Sequence, residues 1–215
     1  MVRTWLIACV LISCGAVGTN MAVDRDIIDA VAPVVEVLER LNVAYHIGGS
    51  VASSAYGIAR TTLDVDLMAD LHPELAHSFV EQLEASHYVD ENMVEDAIRQ
   101  RSSFNLIHLA TMVKIDVFIS KGQAFDLSSF QRARQRNLAD DSDKDTFYLA
   151  SPEDVVLRKL EWYSAGGGIS ERQWKDVLGI LKVQAASLDR AYLKQWAERL
   201  GLQELLDKAI READI

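Results

Sequence analysis

The feature that most constrains this chain is a strict alternation, Leu63-Asp64-Val65-Asp66-Leu67-Met68, set shortly after a Gly48-Gly49-Ser50 turn. Apolar and acidic residues alternating with period two predict a strand with one buried face. Asp64 and Asp66 then project from the same face. Two adjacent carboxylates repel each other, a cost that a bound cation offsets. Oxygen ligands at this spacing suit Mg²⁺, or Mn²⁺, held by one or two carboxylates together with substrate phosphates.

The residues before the alternation supply what such a site needs. Val43 to Ile47 is a short, mostly apolar run that predicts a strand. Val51 to Ile58, rich in small residues, predicts a helix directly after the turn. Glycine lets a backbone approach a ligand closely, and a helix N-terminus offers amides and a favourable dipole to a phosphate. Gly48, Gly49 and Ser50 are therefore the expected phosphate-gripping residues, the Ser50 hydroxyl adding one hydrogen bond. A plain strand-to-helix turn is the bland alternative.

Other residues are candidates by position. In Val113-Lys114-Ile115-Asp116-Val117-Phe118-Ile119, strand alternation puts Asp116 on the face of Lys114 and Phe118. Beside the Asp64–Asp66 strand it would complete a two-metal site that clamps both oxygens of an in-line displacement; alone it would be a solvated edge-strand acid. Arg60 is either a charge clamp on a triphosphate or a surface arginine paired with an acid. Thr62 can orient Asp64. Lys159 is expected to pack its stem and present a free head to a phosphate, or to be an ordinary amphipathic lysine. Arg172 and Asp176 have the spacing of a helix salt bridge. The five histidines show no ligand spacing, and His46 reads as strand packing.

With 215 residues, 49% of them hydrophobic and 25% charged, the chain can bury one substantial core. A helix is expected from Asp24 or Asp26 to about Leu41, with Ile27, Val31, Val34, Val35 and Leu38 as its apolar stripe. Further helices are expected after Pro73 and over Glu91–Arg101. Phe104–Ala110 and Met112–Ile119 predict a hairpin, Phe125–Arg136 part helix and part loop, and Phe147–Leu149 a short strand. At Ser151-Pro152-Glu153-Asp154 the character changes to a helix start, and everything to Ile215 reads as helical, broken at Gly166-Gly167-Gly168 and Gly201. The fold class is thus α/β (α+β): a small mixed-sheet core over residues 21–150, then a helical region over 151–215.

These pieces together resemble a nucleotidyltransferase site of the polymerase-beta superfamily, and within it the AbiEii-type nucleotidyltransferases, the toxin halves of abortive-infection toxin–antitoxin pairs. Four segments carry the resemblance: Gly49-Ser50 with Asp64-Val65-Asp66; Ile115-Asp116-Val117; Pro152-Glu153-Asp154 through Lys159-Leu160; and Arg172 through Lys175-Asp176. The resemblance implies Asp64, Asp66 and Asp116 as metal-binding and, with Lys159, catalytic residues. It groups Asp176 with Gly48, Gly49, Ser50 and Arg60 around the nucleotide. It implies Mg²⁺ or Mn²⁺, a nucleoside triphosphate as substrate, an acceptor among RNA (tRNA-like), protein and small molecules, and an antitoxin partner. A non-catalytic nucleotide-binding module and an antibiotic-modifying transferase are the alternatives.

The formal charge of −10 argues against nucleic acid binding over the whole surface, because phosphate recognition needs local cations. An RNA acceptor would be expected along Arg99 and Arg101, then Arg132, Arg134 and Arg136. The first twenty residues stand apart: an apolar run from Trp5 to Ile12 behind Arg3, then Leu11-Ile12-Ser13-Cys14, which resembles a lipoprotein cleavage box. A secreted or lipid-anchored protein, a misassigned start with Met21 as the true one, and a buried extra element are the three readings. A cytoplasmic location and no membrane contact follow from the second.

Overall fold

The computed structural model describes residues 23–138 and 145–215; the expectations for the first twenty residues lie outside them. The chain runs α1 (Arg25–Arg40), β1 (Tyr45–Ile47), α2 (Gly49–Tyr56), β2 (Asp64–Ala69), a 3-10 turn (Pro73–Leu75), α3 (Ala76–Leu83), β3 (His87–Tyr88), α4 (Glu91–Gln100), β4 (Ser103–His108), β5 (Lys114–Ile119), α5 (Ala124–Arg132), β6 (Arg134–Asn137), β7 (Thr146–Leu149), α6 (Pro152–Ala165), α7 (Glu171–Gln184), α8 (Arg190–Arg199) and α9 (Gln203–Ala213). Among the described residues no helix is long and apolar enough to cross a membrane.

The strands form one mixed sheet in the order β3-β4-β5-β2-β1-β7-β6. β2 pairs in parallel with β5, and β1 with β7; the remaining neighbours are antiparallel. The alternation in β2 works as expected: Val65, Leu67 and Ala69 are fully buried while Asp64, Asp66 and Met68 are half-buried on the other face. β5 repeats the pattern, burying Ile115, Val117 and Ile119. Two short strands were not foreseen. His87–Tyr88 is only a single pair of residues, and Arg134–Asn137 is polar throughout, so neither carries a hydrophobic period.

Caps set the helix starts. Asp24 accepts from the Asp26 amide, Asp90 from Met93 and Ser151 from Asp154, which satisfies amides that the first turn leaves unpaired. α6 and α7 pack on each other and on α2. Gly57, just after α2, and Gly179 in α7 make that approach close: a Cβ on Gly57 would sit 3.0 Å from the Ile180 amide nitrogen, and one on Gly179 would sit 3.3 Å from that of Ile58. Bare backbone at both positions lets α7 bring Arg172 and Asp176 up to the N-terminus of α2.

Candidate active site

Asp66 and Asp116 are direct neighbours across the parallel β2–β5 pair, and Asp64 stands opposite Lys114 in the same register. The three carboxylates therefore share one sheet face. Thr62 donates to Asp64 Oδ1 at 2.6 Å and fixes its rotamer. Lys114 Nζ lies 2.8 Å from Asp116 Oδ2. Asp66, like the other two, is half-buried. Burial, followed by the charges of Asp64 and Asp116, pushes its carboxyl above the ordinary range, against the pull of Lys159 and the Ser50 amide.

The turn closes on Asp66. The Gly48 amide donates to the Asp66 carbonyl at 2.8 Å. Gly49 has φ +51°, and a Cβ there would fall 1.7 Å from Asp66 Oδ2. Only glycine combines that left-handed backbone with room for the carboxylate. The Ser50 amide, expected to face a phosphate, interacts with the Asp66 side chain.

Opposite the carboxylates stands a group of cations. Lys159 Nζ donates to Asp176 Oδ2 at 2.8 Å, so its head is not free as expected. Arg60 holds the same carboxylate through Nε at 3.2 Å and Nη2 at 3.1 Å. Asp176 therefore does not form the expected pair with Arg172 one turn earlier, because Arg60 and Lys159 reach it from other elements. Burial alone would raise the Asp176 carboxyl, but the hydrogen bonds from Arg60 and Lys159 outweigh it and hold it below the usual range. Arg172 Nη2 instead reaches Ser50 Oγ at 3.1 Å, where Arg60 Nη2 also donates. Two cationic donors occupy the lone pairs of that hydroxyl and leave its own O–H to donate. Arg172 went unrecognised as a site residue because its spacing to Asp176 offered a simpler partner.

Gly48, Gly49, Ser50, Arg60, Asp64, Asp66, Lys159, Arg172 and Asp176 line a cleft of about 1090 Å³ between the sheet and α6, whereas Asp116, Lys114 and Thr62 are not in its lining. Of the arginines expected to guide an RNA, Arg101 is in its lining; Arg132, Arg134 and Arg136 are not. Arg132 is held by the buried Glu153 at 3.0 Å and lies over the Tyr192 ring, Arg134 is 3.7 Å from Glu153, and Arg136 sits over Tyr56. The first two serve the chain's own buried acids.

No protein-family model matches the chain, and no curated protein matches it. Solved structures do. An antigenic nucleotidyltransferase-like protein from Paracoccidioides brasiliensis is similar over 88% of this chain and 94% of its own, with a TM-score of 0.52 and 16% identity. The chain has a nucleotidyltransferase fold. The antibiotic-resistance factor ANT(2'')-Ia is similar over 89% of this chain and 96% of its own, with a TM-score of 0.50 and 12% identity.

On this nucleotidyltransferase fold the donor set suits a divalent cation. Asp66 sits desolvated between two other carboxylates, an arrangement that a cation relieves. Among the described residues no group of three or more His, Cys, Asp or Glu side chains is already drawn together as metal ligands. Asp116 holds the Lys114 ammonium instead, so it would have to exchange that partner for the metal.

Proposed function

We propose that this chain is a metal-dependent nucleotidyltransferase that moves a nucleoside monophosphate from a nucleoside triphosphate to a hydroxyl and releases pyrophosphate. One observation carries the reading: Asp66 and Asp116, neighbours in register on β2 and β5, share a face with Asp64 at the foot of the Gly49-Ser50 turn. Asp64 and Asp66 of that face line one cleft with Lys159, Arg60 and Arg172.

Positioning and charge stabilisation dominate in-line phosphoryl transfer. The Ser50 hydroxyl, Arg60, Arg172 and Lys159 would hold the triphosphate along the N-terminus of α2. Asp64, Asp66 and Asp116 would hold Mg²⁺ or Mn²⁺, which neutralises charge on the phosphates and activates the attacking oxygen. The acceptor oxygen bonds to the α-phosphorus as the bond to the β-phosphate oxygen breaks, and pyrophosphate leaves with the electron pair. Asp116 takes up the acceptor's proton. Asp176 touches no substrate in this scheme; it positions Lys159 and Arg60. The dependence on nucleotide favours a cytoplasmic location.

Within this reading, the resemblance of the four segments to AbiEii-type nucleotidyltransferases favours a toxin with an antitoxin partner and a tRNA-like acceptor. A second reading, modification of an antibiotic, is favoured by the similarity to ANT(2'')-Ia across 96% of that chain. Incubating the protein with each α-labelled nucleoside triphosphate, Mg²⁺ and, separately, total RNA, total protein and a panel of hydroxyl-bearing antibiotics tests all of these. Label in RNA supports the toxin reading and label in an antibiotic the second. No label anywhere contradicts the transferase.

A further inference from the structure

The cleft continues past the carboxylates. The next row on the same sheet face is His46, Met68, Phe118 and Ser103, in register across β1, β2, β5 and β4. It lies about 7 Å further along the strands. His46, on β1, is on the far side of β2 from Asp116. A group anchored at His46 therefore belongs to the nucleotide and not to an acceptor that approaches Asp116.

His46 is 4% exposed, and its hydrogen bonding fixes its tautomer. Ser129 Oγ donates its single proton to the Asp126 carbonyl at 2.8 Å. Its 3.1 Å contact with His46 Nε2 must then use a proton on that nitrogen. Nδ1 is left as a bare acceptor, buried and without a partner. Burial, followed by the charge of Arg158, lowers the imidazole to about 4, so it is neutral at pH 7. Arg158 donates through its two terminal nitrogens to Asp126 and to Glu161, the latter at 2.9 Å. Its Nε–H is buried and has no partner. His46, Met68 and Arg158 all line the cleft. The deep end thus holds one unpartnered buried acceptor, one unpartnered buried donor and an apolar thioether, and buried polar atoms without partners are costly. The edge of a nucleobase carries adjacent donor and acceptor groups that match.

We propose that this deep end reads the nucleobase of the triphosphate, with His46 Nδ1 accepting from the base edge, Arg158 Nε donating to it, and Met68 against the ring. The proposal rests on the nucleotidyl-transfer reading above and assigns that reaction's nucleotide specificity to a pair of residues outside the carboxylate and phosphate sites.

Calorimetric binding of ATP, GTP, CTP, UTP and inorganic tripolyphosphate to the full chain, with Ca²⁺ in place of Mg²⁺ to prevent turnover, tests it. The wild type should prefer one nucleotide over the weakest by about tenfold or more, as expected for losing one buried hydrogen bond. His46→Phe should bring that ratio to within about twofold while tripolyphosphate binds as before. His46→Gln, which restores an acceptor, should recover part of the preference. An analogue of the preferred nucleotide whose base lacks the exocyclic group should bind the wild type about tenfold more weakly; this measurement decides if His46→Phe fails to fold. Equal affinity for all four nucleotides, or a preference that survives His46→Phe, overturns the proposal and leaves the transferase reading standing. Failure of every nucleotide and of tripolyphosphate to bind overturns both.

Discussion

Lys159 Nζ donates to Asp176 Oδ2 at 2.8 Å, with the two side chains only 10% and 7% exposed. The bond ties α6 to α7 and holds the ammonium beside Asp66, whose charge it partly balances. Asp176 also holds Arg60, so one carboxylate positions two of the three cations proposed to grip a triphosphate.

Removing that carboxylate should be costly. Breaking a buried ion pair leaves a charge without compensation, at about 3 kcal/mol. Asp176→Asn should lower the unfolding free energy in urea by about that amount. The pH dependence has a definite sign. The folded Asp176 carboxyl lies below its ordinary range, so its contribution is present above that range and lost as pH falls through the lowered value. The variant should lose that part of the acid limb, and an unchanged acid limb would show that Asp176 does not carry it.

Asp66 has the opposite sign. Burial and its acidic neighbours raise its carboxyl, so the folded state binds a proton more readily than the unfolded chain and stability falls as pH rises through that window. In EDTA at pH 7, Asp66→Asn should melt at a higher temperature than the wild type. Mg²⁺ with nucleoside triphosphate at about a hundred times Kd should stabilise the wild type by about 2.7 kcal/mol and leave Asp66→Asn unaffected. A lower melting point in EDTA would contradict the assigned strain.

The close fit of Gly49 against Asp66 predicts a coupled effect. Gly49→Ala forces a left-handed alanine, at a cost of about 1 kcal/mol, and drives its Cβ into the carboxylate. Nucleotide binding should weaken by more than about tenfold. Truncating the other partner relieves the clash, so Gly49→Ala with Asp66→Ala should be less destabilising than the sum of the single changes. Strict additivity in urea unfolding would show that the contact is not the cause.

Arg172 reaches only the Ser50 hydroxyl of the turn. Arg172→Ala should raise the Kd for a nucleoside triphosphate by about tenfold and leave the monophosphate almost unchanged, since a charge-assisted bond to the outer phosphates is what disappears. Equal losses for both would place Arg172 elsewhere on the nucleotide.

The sequence conveyed the carboxylate face well because alternation on a strand is a local property: period two puts Asp64 and Asp66 together, and Lys114-Ile115-Asp116 repeats the logic. Helix starts at Asp24 and Ser151 were legible for the same reason, the cap lying within a few residues of the amide it satisfies. What stayed hidden is long-range. Arg60 and Asp176 are 116 residues apart, Ser50 and Arg172 are 122, and His46 and Ser129 are 83. No spacing rule reports such pairs. The local offer of a helix bridge between Arg172 and Asp176 concealed the contacts both make. The edge strand Arg134–Asn137 had no apolar residue to announce it.

The most direct test of nucleotidyl transfer at these carboxylates compares two labels. The wild type and Asp66→Asn are incubated with Mg²⁺, an acceptor fraction and nucleoside triphosphate labelled at either the α- or the γ-phosphate. Transfer through Asp64, Asp66 and Asp116 predicts that α-label enters the acceptor, γ-label leaves as pyrophosphate, and Asp66→Asn does neither. Entry of γ-label into the acceptor, or transfer by Asp66→Asn at the wild-type rate, would contradict it.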